Sequence, residues 1–195
     1  MYLRVMLVDD RPERREIIAR ALREVDCGVV ACVSPDQDLL GPIREHNPDV
    51  VLIDMDSPGR DTLENLHAVK STAPRPMVMF TQNDDGETIR RAVEAGVSAY
   101  VVDGLQHKRV RPIIDAAIAR FRQYRALEDE LAQVRTQLQE RKLVERAKGI
   151  LMRQRGVSEE EAYRLLRKAA MDRNKRLGDI AESIIAAAEL LGGAA

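Results

Sequence analysis

Leu3-Arg4-Val5-Met6-Leu7-Val8 is a short, mostly apolar run that ends in two aspartates, Asp9-Asp10. Such a run is typical of a parallel strand that is buried on both faces of its sheet. Four more short apolar runs follow, and helical patterns separate them. We expect strands at residues 28–33, 49–53, 77–80 and 99–102, with helices around residues 17–22, 39–45, 62–71 and 87–95. This alternation predicts an α/β fold with a doubly wound, five-stranded parallel sheet.

Polar side chains stand where three of these strands end. Asp9 and Asp10 follow the first strand, Asp54 follows the third and Thr81 follows the fourth. In sheets of this type the functional groups lie beyond the carboxyl ends of the strands. Three carboxylates that converge there repel one another unless a hard cation lies between them, so we expect a Mg²⁺ site. Beside that metal, Asp54 can attack a phosphoryl group and the Thr81 hydroxyl can bind a phosphoryl oxygen.

These strand ends give the first part of the chain, about residues 1–120, its resemblance to a known family. It resembles the receiver domain of two-component response regulators, which has the CheY-like fold. Asp9-Asp10 match the acidic metal-binding pair of that family and Asp54 matches its phosphoacceptor. Thr81 matches the switch hydroxyl and Tyr100 the switch aromatic. The resemblance implies a receiver domain that a sensor protein or a histidine kinase controls.

Two positions depart from the receiver pattern. Ser57 stands where the family commonly has Met, and Asp103-Gly104 stands where receivers usually carry Lys-Pro, three residues beyond the switch aromatic. That Lys normally pairs with the phosphoryl group, so Asp103 would substitute repulsion for attraction unless a shifted loop brings in Lys108. Our hypothesis is that Asp54 is phosphorylated poorly or not at all and that a protein partner controls the receiver.

The overall composition fits a globular protein of two domains. Hydrophobic residues make up 45% and charged residues 32% of the 195 residues, as in ordinary folded domains. No apolar run has the length of a membrane span, and the first residues begin a strand rather than a signal peptide. Cys27 and Cys32 match neither a metal-binding nor a disulfide pattern. We therefore expect a cytoplasmic protein without a membrane partner.

The net charge of −1 conceals an uneven distribution of charge. Residues 1–110 hold 14 Lys or Arg and 19 Asp or Glu, whereas residues 141–195 hold 12 and eight. Within residues 141–176 the 12 basic residues stand against five acidic ones. An acidic first part joined to a basic tail indicates a polyanionic partner for the tail. A solvated helical surface rich in Arg would have the same composition.

Between these parts, residues 109–155 read as one long helix or as two in close succession. The segment has no Gly except Gly149 and no Pro except Pro112, which suits a first helical turn. Apolar residues in it follow the 3, 4, 3, 4 spacing of a heptad seam, namely Tyr124, Leu127, Leu131, Val134 and Leu138. This stripe is short for an independent coiled coil and would also suit packing on the receiver. Because it continues beyond what the receiver could cover, we predict a coiled-coil linker over residues 121–140 and a homodimer.

The tail, residues 141–195, carries three helical patterns. The first buries Leu143, Ala147, Ile150 and Leu151 and ends at Gly156. Ser158, with a Glu three residues later, predicts the start of the second helix as a capping box. That helix buries residues 162, 165, 166 and 169, and the third runs from residue 177 to residue 191. These patterns predict a three-helix all-α output domain.

This tail resembles the ANTAR domain over about residues 138–190. The stretches that carry the resemblance are Ala147-Lys148-Gly149-Ile150-Leu151-Met152, Ser158-Glu159-Glu160-Glu161-Ala162-Tyr163, Leu165-Leu166-Arg167, Asn174-Lys175-Arg176-Leu177 and Ile180-Ala181. The resemblance implies an AmiR/NasR-type response regulator that binds paired stem-loops in nascent RNA and causes transcription antitermination. The departure at Asp103-Gly104 also resembles the nitrate-assimilation branch of these regulators, in which a nitrate- or nitrite-sensing partner holds the regulator inactive.

Basic residues of the tail are the candidates for RNA phosphate contacts. They are Arg146, Lys148, Arg153, Arg167, Lys168, Arg173, Lys175 and Arg176. Asn174 is expected to hydrogen-bond a base edge in a loop. At 3% of the chain, aromatic residues are too scarce for a sheet-type stacking platform. Tyr163 is the one candidate for stacking on a base, and core packing is its expected role.

Two other functions remain open for the tail. One is a DNA-binding response regulator, because a helix, the Gly156 turn and a second helix suggest a helix-turn-helix. The acidic start of the second helix, Glu159-Glu160-Glu161, disfavours groove reading. The other is a protein-interaction adaptor. We do not expect an enzyme, because the tail has no His, Cys or catalytic carboxylate cluster.

Overall fold

The structure of the protein, a computed structural model, describes residues 2–11, 13, 15–55, 58–102 and 107–192. Five strands alternate with helices in the first part of the chain and only helices follow. The strands are β1 (Leu3–Asp9), β2 (Cys27–Val33), β3 (Val50–Asp54), β4 (Met77–Thr81) and β5 (Ala99–Val102). The helices are α1 (Arg15–Arg23), α2 (Leu40–His46), α3 (Arg60–Thr72), α4 (Gly86–Glu94), α5 (His107–Arg155), α6 (Glu159–Arg173) and α7 (Leu177–Gly192).

The chain divides into two compact units, Met1–Arg125 and Ala126–Ala195. The helix α5 is continuous across the division, so it contributes its first part to one unit and its last part to the other. This boundary lies five residues beyond the receiver limit predicted at residue 120. We call the two parts the N-terminal unit and the C-terminal unit.

The N-terminal unit is built on a single parallel sheet with the strand order β2-β1-β3-β4-β5. All four neighbouring pairs of strands are parallel, and such pairs are joined by crossover connections, which usually contain a helix. The prediction of a doubly wound, five-stranded parallel sheet is therefore confirmed. In the pairing of β1 with β3, Asp9 lies opposite Asp54, so the last residues of the two strands are neighbours.

Alternate residues of the strands pack on opposite faces of the sheet. Val5 and Leu7 belong to the core cluster that includes residues of α1 and the start of α5. Met6 and Val8 belong to the cluster that includes residues of α2, α3 and α4. Because side chains alternate along a strand, both clusters draw on the same strands. The sheet is thus covered on both faces, which explains why its strands are apolar almost throughout.

The start of α5 differs from the sequence prediction. The helix begins at His107 rather than at residue 109, so Pro112 lies in its second turn and not in its first. A proline there cannot donate a hydrogen bond to the preceding turn. The side chains of Val110 and Ile114, on either side of Pro112, are fully buried against the sheet. Burial of this apolar face keeps the segment helical.

The C-terminal unit is a three-helix domain with one core. The last part of α5 contributes Val144, Ala147, Ile150 and Leu151 to it, and α6 and α7 supply the remaining residues. The predicted core positions of α6 and α7 lie in this cluster or pack against it. Leu143 packs against the cluster but is only partly buried, and Val144 takes the buried position. The predicted three-helix all-α domain is confirmed.

Backbone geometry sets the two helix ends inside this unit. Gly156 has φ +65° and ends α5, with its amide bonded to the Met152 carbonyl at 3.0 Å. Asn174 has φ 51° and ends α6 in the same left-handed conformation, which Gly and Asn adopt at little cost. Ser158 caps α6 as predicted, because its hydroxyl accepts a hydrogen bond from the Glu161 amide at 3.2 Å. The Glu161 carboxylate bonds Arg164 instead, so only half of the predicted capping box forms.

Nowhere in the described residues does a helix combine the length and the apolar composition that crossing a membrane requires.

Candidate functional site

The carboxyl edge of the sheet brings the predicted phosphorylation-site residues together. Asp9 and Asp54 end β1 and β3, lie opposite each other, and are 0% and 2% exposed. Thr81 ends β4, the next strand, and is 1% exposed. Side chains this polar are rarely buried without a specific purpose. Three of the four predicted polar strand-end residues therefore share one buried site, which we call the acidic pocket (Asp9, Asp54 and Thr81).

Asp10 does not share this environment. Its side chain is exposed, and one carboxylate oxygen lies 3.5 Å from Nε of Arg11. Within the described part of the chain, no three His, Cys, Asp or Glu side chains lie close enough together to hold a metal ion. Two of the three predicted carboxylate ligands, Asp9 and Asp54, thus lie in the pocket. The Asp10 side chain would have to move away from Arg11 to become the third ligand.

The hydrogen bonding of the Asp9 carboxylate is consistent with a bound cation. Its Oδ1 accepts a hydrogen bond from the Arg11 amide at 2.8 Å. Its Oδ2 is buried and has no hydrogen-bond partner in the described residues. A buried carboxylate oxygen without a partner carries a desolvation cost, and a hard cation beside it would offset that cost. Oxygen donors from two aspartates suit Mg²⁺, which keeps water molecules as its other ligands.

The two predicted switch residues are linked through one loop residue. The Thr81 hydroxyl accepts a hydrogen bond from the Asn83 amide at 3.0 Å. The Tyr100 hydroxyl donates a hydrogen bond to the Asn83 carbonyl, also at 3.0 Å. Burial raises the pKa of Tyr100, and a hydrogen bond with Thr81 opposes that shift. The ring of Tyr100 packs against the core, so the aromatic group and the pocket hydroxyl are held in one hydrogen-bonded arrangement.

Some sequence predictions concern positions outside the described residues. These positions are Ser57, Asp103 and Gly104. The backbone of Lys108 lies in the first turn of α5, and its side chain is outside the described part of the structure. The substitution of Asp103 for the usual Lys remains an observation about the sequence.

The predicted dimer seam is exposed along its full length. Its members are 50–64% exposed, and they are Tyr124, Leu127, Leu131, Val134 and Leu138. All five lie on the uninterrupted helix α5. Their exposure leaves an unshielded apolar stripe in the single chain.

Seven of the eight predicted RNA-binding cations divide into two groups. One group is exposed and forms no ion pair with any residue in the described ranges, and its members are Arg153, Arg167, Lys168, Arg173 and Lys175. In the other group, Arg146 pairs with Glu189 at 2.6 Å and Arg176 pairs with Asp179 at 3.2 Å. Exposed pairs of this kind are weak and exchange readily with other partners. Both groups therefore offer cations to a polyanion, the first without any competing carboxylate.

Lys148 differs from both groups, because its side chain is buried and paired with two carboxylates. It is only 7% exposed, and its ammonium group lies 2.6 Å from a Glu159 oxygen and 2.9 Å from a Glu145 oxygen. The hydrogen bonds with Glu159 and Glu145 raise the pKa of Lys148, and the bond from Lys148 lowers the pKa of Glu159. This placement argues against Lys148 as a phosphate contact, because it joins α5 to the first turn of α6. Glu145 precedes Lys148 by three residues, and that spacing was the signal available in the sequence.

Two further predictions for this unit concern Asn174 and Tyr163. Asn174 is exposed, but its left-handed backbone ends α6, which accounts for an Asn at this position without any base contact. Tyr163 was expected in the core and is instead 45% exposed on α6. The helical pattern placed Ala162 and Leu166 in the core correctly, and Tyr163 lies at the edge of that face.

An acidic pocket at the carboxyl edge of a five-stranded parallel sheet, followed by a helical unit, defines a response regulator with a receiver. The response regulator receiver domain model matches residues 5–115 and the ANTAR domain model matches residues 132–185. Most of this chain, 93%, aligns with transcriptional regulatory protein PdtaR of Mycobacterium tuberculosis (strain CDC 1551 / Oshkosh) at 34% identity, over 89% of that protein. The chain belongs to the response regulators that combine a receiver with an ANTAR domain, a family of non-enzymatic regulators.

Two partial matches agree with this assignment. The nitrate regulatory protein of Klebsiella oxytoca is 46% identical over 59 residues, which cover 30% of this chain and 15% of that protein. A two-component response regulator of the LuxR family from Aurantimonas sp. SI85-9A1 has a TM-score of 0.54 at 29% identity, over 61% of this chain and 86% of that one. The first match is too short to assign the chain to the nitrate-assimilation branch, which stays a prediction.

Proposed function

We propose that this response regulator binds paired stem-loops in nascent RNA through its C-terminal unit and thereby causes transcription antitermination. The observation that carries the proposal is the set of exposed cations on that unit that no carboxylate pairs with in the described ranges, Arg153, Arg167, Lys168, Arg173 and Lys175. Cations of this kind release counterions from phosphates on binding, which is the main source of affinity for nucleic acids. The ANTAR match over the same residues supports RNA as the polyanion.

The proposed domain limits are those of the sequence prediction. The receiver would occupy residues 1–120, the coiled-coil linker residues 121–140 and the RNA-binding domain residues 141–195. The exposed apolar stripe supports the linker, because two copies of the chain can bury it against each other as a heptad seam. A homodimer would contain two RNA-binding units, one for each stem-loop of a paired stem-loop RNA.

Control by the receiver is the second part of the proposal. Asp54 is the phosphoacceptor, Asp9 and Asp10 join it in holding Mg²⁺, and a sensor protein or a histidine kinase provides the input. Mg²⁺ would supply charge neutralisation for an incoming phosphoryl group, while Thr81 binds a phosphoryl oxygen. With Asp103 in place of the usual Lys, we expect a partner protein to be the main control and the acyl phosphate to be sparse.

A gel-shift experiment tests the output. Purified protein is titrated against a two-stem-loop RNA and against duplex DNA of matched length. Wild type and Asp54→Asn are compared, each with and without acetyl phosphate and Mg²⁺. RNA-selective binding by both proteins under both conditions is the expected result and leaves control to a partner. Equal binding to duplex DNA would favour the DNA-binding alternative, and binding to neither nucleic acid would favour a protein adaptor.

A separate measurement tests the phosphorylation hypothesis. The protein is incubated with acetyl phosphate and Mg²⁺, and the acyl phosphate on Asp54 is quantified by intact-protein mass spectrometry. We expect a small fraction at most. Stable, stoichiometric acyl phosphate on the wild type, absent from Asp54→Asn, would show that phosphorylation is an ordinary input for this receiver.

A further inference from the structure

A cavity opens at the amino-terminal edge of the sheet in the N-terminal unit, at the opposite end of the strands from the acidic pocket. Its lining comes from the segments that precede β3 and β4 and from α5 near the end of this unit. We call it the edge cavity (around Pro48, Arg75, Phe121 and Arg122). Its volume is about 240 Å³. Pockets for drug-sized ligands measure about 300–1,000 Å³, so the edge cavity suits a smaller molecule.

Arg75 is held in a fixed position in the edge cavity. Its guanidinium donates hydrogen bonds to the Pro48 carbonyl at 3.1 Å, to the Pro74 carbonyl at 3.0 Å and to Oδ1 of Asn47 at 2.8 Å. The residue is half-buried, and no carboxylate of the described residues pairs with it. Neutral oxygens satisfy N–H donors without neutralising the positive charge. A half-buried guanidinium that is preorganised in this way favours a bound anion.

The other charged groups of the edge cavity leave an excess of positive charge. Arg122 is exposed, and it forms no ion pair with any residue that the structure describes. Asp49 is the only carboxylate in the described lining, and its Oδ2 accepts a hydrogen bond from the Arg4 amide at 2.8 Å. The described lining thus contains two guanidinium groups and one carboxylate. An anion therefore gains more than a cation does from entering the cavity.

Apolar side chains supply most of the remaining surface. Phe121 and Ile118 contribute half-buried side chains from α5, and Pro48, Pro74 and Pro76 contribute their rings. Proline rings lose almost no conformational entropy when a ligand covers them. The apolar body of a ligand gains free energy by packing on such a surface. An apolar wall with a few fixed polar groups is typical of sites for small organic molecules rather than for inorganic ions.

We propose that the edge cavity binds a small carboxylic acid whose apolar body is the size of a single ring. The carboxylate pairs with Arg122 and with the remaining N–H groups of Arg75, and the apolar body packs on Phe121 and the prolines. Phe121 and Arg122 directly precede the turn of α5 that carries Tyr124, the first residue of the exposed stripe. The ligand therefore contacts the helix where it leads into the proposed dimer seam. The inference concerns the N-terminal unit alone and goes beyond the proposed function.

Amide chemical shifts of the full-length protein test the inference, with benzoate as the probe. We expect saturable shifts of the Asn47, Phe121 and Arg122 amides, with a Kd in the millimolar range or below. Acetate has the charge without the apolar body, and benzamide has nearly the same shape without the charge. Each should bind at least about tenfold more weakly than benzoate, because each lacks one of the two recognised features.

Substitutions of arginine locate the site. Arg122→Gln changes an exposed side chain, so the fold is kept, and it should weaken benzoate binding by about threefold or more. Arg120→Gln is the matched control, because Arg120 is an exposed arginine of the same helix outside the described lining. It should bind benzoate like the wild type. Arg75→Gln should bind benzoate more weakly than Arg122→Gln does, and the amide spectrum of the free variant checks that its loops keep their fold.

Several results would overturn the inference. One is the absence of saturable shifts at the edge cavity up to about 10 mM benzoate. Another is binding of acetate or benzamide as tight as that of benzoate, because the site then lacks the selectivity expected of its lining. Unchanged affinity in Arg122→Gln, or an equal decrease in Arg120→Gln, would overturn the proposed carboxylate contact. RNA binding in the gel-shift experiment is measured separately, so failure here leaves the proposed function standing.

Discussion

Asp9 and Asp54 are single residues whose burial governs the chemistry of the whole receiver. They end neighbouring strands, and almost none of their surface reaches solvent. Charges at such a site interact far more strongly than charges on the surface, because the interior screens them poorly. In the proposed Mg²⁺ site a cation would lie beside these two carboxylates, and the free energy of binding it would add directly to the stability of the receiver.

Mg²⁺ is therefore expected to stabilise the wild-type protein against thermal unfolding. At a free concentration of 100 times the Kd the gain is about 2.7 kcal/mol. Asp9→Asn and Asp54→Asn should lose most of this Mg²⁺-dependent gain, whereas Asp10→Asn should lose less, because Asp10 is exposed and faces Arg11. Differential scanning calorimetry with and without Mg²⁺ measures the effect. An equal loss of the gain in all three variants would show that Asp10 joins the metal as a full ligand.

The ion pair between Lys148 and Glu159 makes the contact between α5 and α6 dependent on pH. Its pKa is raised, so its contribution to stability is complete at neutral pH and is lost as pH rises through the alkaline range where it deprotonates. The pKa of Glu159 is lowered, so its contribution is lost as pH falls through the acidic range where it takes up a proton. The contact between α5 and α6 should be strongest between these limits.

The variant Lys148→Met tests this contact. It keeps much of the side-chain volume and removes the charge, so we expect a clear loss of stability in the C-terminal unit at neutral pH. The difference from the wild type should shrink toward acidic pH. Amide exchange in α6 and α7 measures the stability of this unit alone. RNA affinity measured where both proteins are folded should be nearly unchanged; a tenfold decrease there would restore Lys148 as a phosphate contact.

At the scale of the element, a glycine inside α5 and the glycine that follows its last residue have different backbone conformations. A Cβ added at Gly149 or at Gly156 would meet no atom within 4 Å, so space does not distinguish them. Gly149 lies inside the helix, where Ala is favoured by roughly 0.5–1 kcal/mol. Gly156 has φ +65°, where a residue with a Cβ costs about 1–2 kcal/mol.

The same substitution should consequently have opposite effects at the two sites. Gly149→Ala is expected to stabilise the C-terminal unit and Gly156→Ala to destabilise it, by about the amounts given above. Protection of the α6 and α7 amides from exchange is the measurement, with each variant as the control for the other. Changes of the same sign would show that packing, rather than backbone conformation, dominates at one of the two positions.

The apolar stripe of α5 gives a second prediction for this element. If two copies of the chain bury it against each other, Leu131→Arg places like charges at the centre of the seam and should give a monomer. Leu190→Arg changes an even more exposed leucine outside the stripe and should leave the dimer intact. Sedimentation equilibrium over a range of concentrations decides the matter. A wild type that is monomeric throughout would contradict the seam.

These elements also show what the sequence could predict. Asp9, Asp54 and Thr81 were placed correctly, because parallel strands bring their carboxyl ends to one edge whatever the loops do. Lys148 and Tyr163 were not, because the exposed face of a helix is set by the angle at which it packs. A residue at the margin of the apolar face, such as Tyr163, turns inward or outward with a small rotation of the helix. Packing against neighbouring helices sets that rotation, so it cannot be predicted from the apolar periodicity of one helix alone.

At the scale of the whole molecule, opposite net charges are segregated along the chain. The C-terminal 55 residues hold 12 basic residues and eight acidic ones, while the first 110 residues carry an acidic excess. Binding of a polyanion by the basic part alone must then depend strongly on salt, because each phosphate neutralised releases counterions. The acidic part adds repulsion toward the same ligand, so it limits binding in the wrong orientation.

RNA affinity should accordingly fall steeply and linearly in a plot of log K against log salt concentration. Removing one exposed cation, as in Lys175→Gln, should reduce the magnitude of the slope by about 1 for each phosphate that the variant no longer neutralises. The matched control is Lys70→Gln in the N-terminal unit, which should leave the slope unaltered. Filter binding between low and physiological salt gives the slopes. An affinity independent of salt would exclude phosphate contacts as the source of binding.

The continuity of α5 has a consequence for how the length of this protein can vary. Its 49 residues form one helix, and each added residue turns everything after it by about 100°. One residue inserted between Leu131 and Val134 would move Val134 and Leu138 off the stripe that begins at Tyr124. Seven inserted residues would restore them to it. Natural length changes within residues 126–138 are therefore expected to come in multiples of seven, because only these preserve the heptad register of the stripe.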